Sequence, residues 1–304
     1  MSKTQQEQSP KCGIVAVIGA PNAGKSTLVN ALVGQKVVIT SAKAQTTRAR
    51  MLGVALHGQT QIILADTPGI FAPKRRLDRA MVAAAWEGTH EADAIILMVD
   101  PVKQRRHELT PLLEGLKDRP ERKLLVLNKV DIAKKEPLLA LAQELGEAVN
   151  FEEIYFISAL SGDGVPELKD ALAALMPQGV WHFSEDQVSD ASERLLAAEI
   201  TREQLYRQLH EELPYDSAVR PESYTRRKDG SVEIRQQIVI GRESQKPIVL
   251  GKGGSKIKAI GEAARLELTE LLGQKVHLFL HVKVSENWAN DKEVFEEMGL
   301  EFGR

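Results

Sequence analysis

One cysteine in 304 residues leaves Cys12 with nothing to bridge to and excludes a multi-thiolate metal site. A reducing compartment follows, and at the edge of the first apolar strand Cys12 reads as packing. Long hydrophobic runs are missing too. A bilayer span needs about 18–20 apolar residues, and the longest run here, AIILMV at 94–99, has the length of a buried strand. The opening MSKTQQEQSP has neither the apolar stretch of a signal peptide nor the Arg-rich amphipathic pattern of a transit peptide. Residues 1–11 are therefore expected to form a disordered polar tail on a cytoplasmic protein. Excess charge is also absent: the net charge of −2 confines any nucleic-acid surface to a local patch. The remaining balance, 43% hydrophobic and 27% charged, is that of a globular chain, with a length suited to about two domains.

The first half alternates short apolar runs with helical segments. IVAVIG (14–19), QIILAD (61–66), DAIILMVD (93–100), KLLVLN (123–128) and IYFIS (154–158) read as strands, and STLVNALVG and LLALAQELGEAV as amphipathic helices. This pattern predicts an α/β domain with a mostly parallel sheet covered by helices on both faces. Its ligand belongs at the C-terminal strand ends, which is where the polar signatures fall.

The first signature, Gly19 to Ser26 (GAPNAGKS), fits the phosphate-binding loop pattern between a strand and a helix. Its backbone N–H groups wrap phosphates, Lys25 reaches the β and γ groups, and Ser26 ligates Mg²⁺. The phosphate-binding set is Gly19, Asn22, Ala23, Gly24, Lys25, Ser26 and Thr27. Next, Asp66, Thr67, Pro68 and Gly69 close a strand, with a carboxylate able to hold Mg²⁺ through water and an N–H able to sense the γ-phosphate. Asn128-Lys129-Val130-Asp131 follows KLLVL. Asp131 can accept hydrogen bonds from guanine N1–H and the 2-amino group, which adenine lacks, a discrimination of about 10⁴ or more. Lys129 lays its stem along the base and Asn128 braces the loop. Ser158, Ala159 and Leu160 offer a backbone N–H to guanine O6. Residues 40–48, TSAKAQTTR, read as polar and mobile.

These signatures, in this order, resemble the small GTPases of the translation-factor-related class over residues 12–177. The resemblance implies a GTP-binding, GTP-hydrolysing P-loop domain. It makes Gln45, Thr46 and Thr47 the first switch, with Thr47 ahead of Thr46 as the magnesium ligand beside Ser26 and water-bridged Asp66. Many such GTPases orient the attacking water with a glutamine after the DxxG glycine; here Ile70 stands there, so slow turnover is expected. In relatives with the same PNxGKS loop an asparagine helps hold potassium, which makes Asn22 a candidate potassium ligand.

After WHFSEDQVSDAS (181–192), a polar linker ending in a candidate N-cap at Ser192, the order of elements changes. A long helix, two strands joined by KDG (228–230), a short helical turn, a glycine loop, a helix and a last strand predict an α+β domain without a second parallel sheet. The loop Gly251-Lys252-Gly253-Gly254, followed by Lys256 and Lys258, resembles the GXXG clamp of a type II KH domain, which holds about four nucleotides of single-stranded nucleic acid. From Phe183 on, acidic residues outnumber basic ones 22 to 18, yet residues 220–258 hold ten basic and four acidic. Ile248, Val249, Ile257 and Ile260 either line a base groove or pack, and Trp288 and Phe295 read as anchors for the last helix. The expected boundaries are 1–11 tail, 12–179 P-loop GTPase domain, 180–192 linker, 193–285 KH domain and 286–304 acidic C-terminal segment.

The whole set, with QTTR, DTPG, NKVD, ELPY (212–215) and the lysine-rich GXXG helix, resembles the bacterial Era family. That resemblance implies a monomer that binds GTP/GDP and the 3′ end of small-subunit (16S) rRNA. It also implies help in assembling the 30S subunit and peripheral association with the inner membrane. A nucleotide-binding RNA adaptor with negligible turnover and a membrane or cell-cycle signalling GTPase are the alternative readings.

Overall fold

The computed structural model describes residues 9–302 apart from 42, 44, 45, 49, 74, 104, 105, 211 and 212. The chain divides into two compact units. The first takes the residues up to Val37 together with Thr47–Ala72 and Met81–Asp190; the second takes Val38–Thr46, Pro73–Ala80 and the residues from Ala191 on.

The first unit is a six-stranded sheet. In chain order its strands are β1 (Lys11–Gly19), β2 (Met51–His57), β3 (Thr60–Asp66), β4 (Ala94–Val99), β5 (Arg122–Leu127) and β6 (Glu153–Phe156). The spatial order is β2-β3-β1-β4-β5-β6. All neighbours are parallel except β2 and β3. β4 is buried along its whole length, the signature of a strand covered on both faces. On one face Ile18, Ile95, Leu97 and Leu125 pack against α2 (Arg76–Glu87), α3 (Arg106–Lys117) and α4 (Lys135–Ala148). α1 (Lys25–Val33) and α5 (Val165–Leu175) pack beside each other and against β2 and β3.

Parallel register gathers the strand exits at one end. Val17 pairs with Asp66, Gly19 with Met98, and Val99 with Leu127. The apolar pattern does not anticipate β2, which directly follows the polar stretch. It also hides the role of residues 181–190, which form a strap rather than a free linker. Buried Gln61 receives the backbone N–H groups of His182 (2.9 Å) and Phe183 (3.1 Å), and Val54 N–H donates to Val188 O at 2.8 Å. The strap satisfies edge groups of the sheet through its backbone, so its polar composition gives no warning.

In the second unit, α6 (Glu193–Gln208) is capped as expected, Ser192 Oγ accepting from Leu195 N–H at 3.2 Å. β7 (Ser217–Arg226) pairs antiparallel with β8 (Val232–Ile240), which pairs parallel with β9 (Val276–Val284). α7 (Lys246–Leu250) and α8 (Ser255–Leu272) flank the glycine loop, and α9 (Lys292–Glu297) is anchored by buried Trp288 and Phe295. Ala197, Ile200, Ile234, Ala264 and Leu268 form one core cluster, and Leu205, Ile238, Val249 and Ile260 another.

Ile39 also sits in the first of these clusters, and the described residues Thr40, Lys43 and Thr46 are packed rather than solvated. Thr40 N–H donates to Glu203 at 3.1 Å, the Lys43 ammonium caps the Tyr206 and Leu209 carbonyls, and Arg202 donates to Thr46 O. The charged face of α6 is thus an interior face, with Arg202 and Glu203 at 2% and 0% exposure. A charged stripe is normally solvated, which is why pattern alone assigns this segment to solvent.

Gln236, fully buried on β8 between Ile234 and Ile238, has an amide with no hydrogen-bond partner among the described residues. An unsatisfied buried amide costs about 1–3 kcal/mol. Gln236→Leu, close in volume, should raise the denaturation midpoint of the transition that unfolds the second unit. An unchanged or lowered midpoint would show that the amide is satisfied in solution.

Candidate functional site

The strand exits carry the first glycine loop. Lys25 opens α1, is 6% exposed, and donates to the loop carbonyls of Gly19 (3.2 Å) and Ala20 (3.0 Å). Gly24 has φ 104°, and a Cβ there would lie 2.2 Å from Asn128 Nδ2. No other residue fits, because Asn128 is bound on both sides of that point: Nδ2 donates to Ala23 O at 2.8 Å and Oδ1 accepts from Ala159 N–H at 2.9 Å. One side chain thereby ties the phosphate loop, the β5 exit and the Ser158-Ala159-Leu160 turn together. Burial pushes the Lys25 ammonium down to about 8, against the raising pull of the Asp66 charge.

Beside the loop three oxygens converge. Ser26 Oγ lies 2.8 Å from Asp66 Oδ2 and 3.0 Å from Thr47 Oγ1, and Thr47 Oγ1 lies 3.0 Å from the same Asp66 oxygen. Hard oxygen donors suit Mg²⁺, and an octahedron with its 2.0–2.1 Å bonds has edges of about 2.9 Å. The two hydroxyls, 3.0 Å apart, therefore have the spacing of neighbouring octahedral ligands, with the Asp66 carboxylate beside both, placed to reach the ion through a water. Thr46 is turned away, its hydroxyl donating to Lys43 O at 2.8 Å. Gln45 lies outside the described residues. Buried Thr67 braces Val17 O at 2.8 Å, and Gly69 lies against Pro21, where a Cβ would come within 2.9 Å of its nitrogen. Pro68 is buried. Ile70 is 3% exposed, its side chain in the core and its N–H on Gly19 O at 3.1 Å, so this position offers no side-chain polar group to a water.

At the base end, Asp131 is exposed and Leu160 is 85% exposed, which leaves their edge of the site open. Lys129 reaches across to donate to Asn22 O at 3.0 Å, and both residues hold positive φ, 63° and 64°. The other acceptor of its ammonium is Asp100, a residue that sequence reasoning did not single out. The only signal was its place at the end of the strand DAIILMVD. Asn22 and Thr27 stand exposed and half-buried, respectively, and Ser158 is a buried turn residue whose N–H goes to Asp163 O at 2.9 Å.

The second glycine loop is built for a different task. Gly251 has φ 72°, and a Cβ there would meet Lys256 N at 2.7 Å. Gly253 (φ 60°) and Gly254 (φ 79°) face open space: a Cβ on either would have nothing within 4 Å. Lys252 and Lys258 are exposed and Lys256 is half-buried. Next to the loop, Ile257, Lys258, Gly261 and Arg265 of α8 face Leu278 and Leu280 of β9 across a groove. Val249 and Ile260 are fully buried and pack, whereas Ile248 is 57% exposed. The basic excess narrows on inspection. Arg220 pairs with Glu293 and Glu297, Arg226 with Glu193, and Arg227 and Arg235 with Glu233. Lys252, Lys256 and Lys258 at the loop are in none of these pairs, and neither are Lys228 and Arg242.

A bound polyphosphate restores the Lys25 ammonium to a higher pKa, so above pH 8 the complex holds more protons than the free protein. Nucleotide affinity is then full below pH 8 and falls as pH rises through 8. Calorimetry at pH 8.5 in two buffers of different ionisation enthalpy should show proton uptake. Heats independent of buffer would contradict this.

Comparison with known proteins agrees with this geometry. Residues 14–129 match the family described as 50S ribosome-binding GTPase, and residues 212–289 match the KH domain family. The GTPase Era of Erythrobacter litoralis is 78% identical over 302 residues, covering 98% of this chain and 99% of that protein. The GTPase Era of a Bradyrhizobium species is 56% identical, covering 97% of this chain and 96% of its own. Among solved structures, an Aquifex aeolicus Era variant bound to GDP and aluminium fluoride is 39% identical and superposes with a TM-score of 0.89, over 95% of this chain and 99% of that one. Era in complex with MgGDPNP and nucleotides 1506–1542 of 16S ribosomal RNA is 38% identical with a TM-score of 0.90, over the same shares. Matched end to end at such identity, the chain belongs to the Era family of GTPases.

Proposed function

We propose that this GTPase binds GTP with Mg²⁺ in its first unit and the 3′ end of 16S rRNA in its second, and that it assists assembly of the 30S ribosomal subunit. The observation that carries this reading is the convergence of Ser26, Thr47 and Asp66 oxygens within 3.0 Å beside the Lys25 loop, in a chain that also presents an open GXXG loop. The Era relative solved with MgGDPNP and 16S nucleotides supports the choice of both ligands.

The residues divide the work. Gly19 gives the loop its turn, backbone N–H groups of Asn22 to Thr27, with Ala23 and Gly24 at the tightest point, cradle the phosphates, and Lys25 supplies charge where it develops. The Ser26 and Thr47 hydroxyls would hold Mg²⁺ directly and Asp66 through a water, and the ion when bound neutralises charge on the β and γ phosphates. Gly69 places an N–H for the γ-phosphate beside Thr67 and Pro68. Asp131 reads guanine, Lys129 walls the base, Asn128 fixes the loop, and the Ser158-Ala159-Leu160 turn closes the O6 side. In the second unit, Gly251, Lys252, Gly253 and Gly254 clamp RNA phosphates, with Lys256 and Lys258 adding charge and the apolar groove receiving bases.

Buried Ile70 supports slow hydrolysis. Asn22 is the candidate potassium ligand, and turnover should be faster in K⁺ than in Na⁺ at matched ionic strength; equal rates remove that role. The nucleotide state reaches RNA affinity through the first switch. Thr47 is bonded to Thr46, whose segment is held in the core of the second unit. The same proposed reading makes it a monomer of the bacterial cytoplasm that associates peripherally with the inner membrane. No described helix is long and apolar enough to cross a membrane.

The two kinds of GXXG glycine permit a clean test. Gly253→Asp fits the space and tolerates a left-handed backbone better than most residues do, so it should keep the fold while repelling phosphate. An oligonucleotide with the 16S 3′-end sequence should bind this variant at least about tenfold more weakly, with the cooperative unfolding transition kept, at a slightly lowered thermal midpoint, and GTP hydrolysis unchanged. Unimpaired binding would mean that RNA, if bound, does not use this loop.

A further inference from the structure

Parallel pairing of Val99 with Leu127 brings the ends of β4 and β5 out side by side, and Asn128 N–H donates to Val99 O at 2.9 Å. Asp100 therefore emerges next to Lys129. Asp100 is 4% exposed and its two oxygens have separate tasks. Oδ1 accepts from the N–H groups of Val102 (2.9 Å) and Lys103 (3.1 Å), which fixes the turn after β4. Oδ2 takes the Lys129 ammonium, whose other acceptor is the Asn22 carbonyl of the phosphate loop. The Lys129 stem is thus anchored at its far end by two groups. Its near end carries a φ of 63°, a conformation that residues other than glycine seldom hold unless their surroundings impose it.

We propose that Asp100 is a positioning residue for nucleotide binding: it pins the Lys129 ammonium to the phosphate loop, so that the Lys129 stem stands as a fixed wall of the base pocket. The proposal rests on the guanine-nucleotide reading of this site. A lysine stem has four rotatable bonds, and an unpinned one has to be ordered by each nucleotide that binds. With both ends held, that ordering is done in advance. Asp100 also places a negative charge beside the ammonium, so the wall meets the base and ribose as a neutral pair. Discrimination between guanine and adenine stays with Asp131; what Asp100 governs is residence time.

The test is dissociation of a fluorescent N-methylanthraniloyl GDP from the full-length protein, in Asp100→Asn, Lys129→Met and the double variant. Asparagine keeps an oxygen for the Val102 and Lys103 N–H groups while removing the charge. Asp100→Asn should release the nucleotide about tenfold faster or more, the loss of one charge-assisted hydrogen bond. Lys129→Met should also speed release, and the double variant should be no faster than Lys129→Met alone. An unchanged rate in Asp100→Asn overturns the proposal, as does a double variant in which the two accelerations multiply, since Asp100 would then act only through its turn. If Asp100→Asn does not fold, the wild-type GDP complex decides: a pinned Lys129 ammonium gives an exchange-protected side-chain ¹⁵N resonance, and its absence overturns the proposal. Failure of the wild type to bind the nucleotide at all would instead overturn the reading of the site, and this inference with it.

Discussion

Ser26, Thr47 and Asp66 come from three different places in the chain, and everything proposed for the first unit depends on their meeting. Asp66 is carried by the parallel pairing of β3 with β1, and Ser26 by the turn that starts α1. Both are fixed by the sheet. Thr47 is delivered by a loop, and the loop's earlier residues belong to the core of the second unit. A hydroxyl held in place this way is the natural point for a nucleotide to act on, because its position is the one of the three that the sheet does not set. In the proposed function this triangle would be both a binding site and the place where a chemical state becomes a structural one.

The two glycine loops use the same property of glycine toward opposite ends. In the first, the space a side chain would need is already filled: a Cβ on Gly24 would overlap Asn128, and the loop is braced from the strands around it. In the second, only Gly251 is crowded, and Gly253 and Gly254 face outward beside lysines. A loop open on that side suits a backbone that continues past it in both directions. On the proposed function the phosphates in the two loops have different owners, one a free nucleotide and the other a polymer.

The convergence of the motif residues at one candidate site was legible because each motif is a local device: a turn, a strand exit and a carboxylate at fixed spacing. The GXXG loop was legible from its setting between α7 and α8 rather than from its spacing. What pattern could not reach has a shared physical cause. β2 and the 181–190 strap depend on backbone pairing with a distant edge, which side-chain composition does not report. Thr40, Lys43 and Thr46 are polar because they bind a polar interior face, and so look solvated while meeting Glu203, the α6 C-terminal carbonyls and Arg202. Asp100 carries no motif at all. Its role follows from the register that sets β4 beside β5. The basic count over residues 220–258 overstated the RNA face, since the arginines on the sheet are paired with glutamates.

These parts join in one claim, that the state of the nucleotide at Thr47 sets the affinity of the second unit for RNA. The most direct measurement is equilibrium binding of the 16S 3′-end oligonucleotide to the full chain loaded with GDP or with Mg²⁺ and GDPNP, in the wild type and in Thr47→Ala. Affinities should differ by about tenfold or more between the two loaded states and become equal in Thr47→Ala. Equal affinities in the wild type would contradict the claim, leaving two phosphate-binding loops that share a chain without sharing a switch.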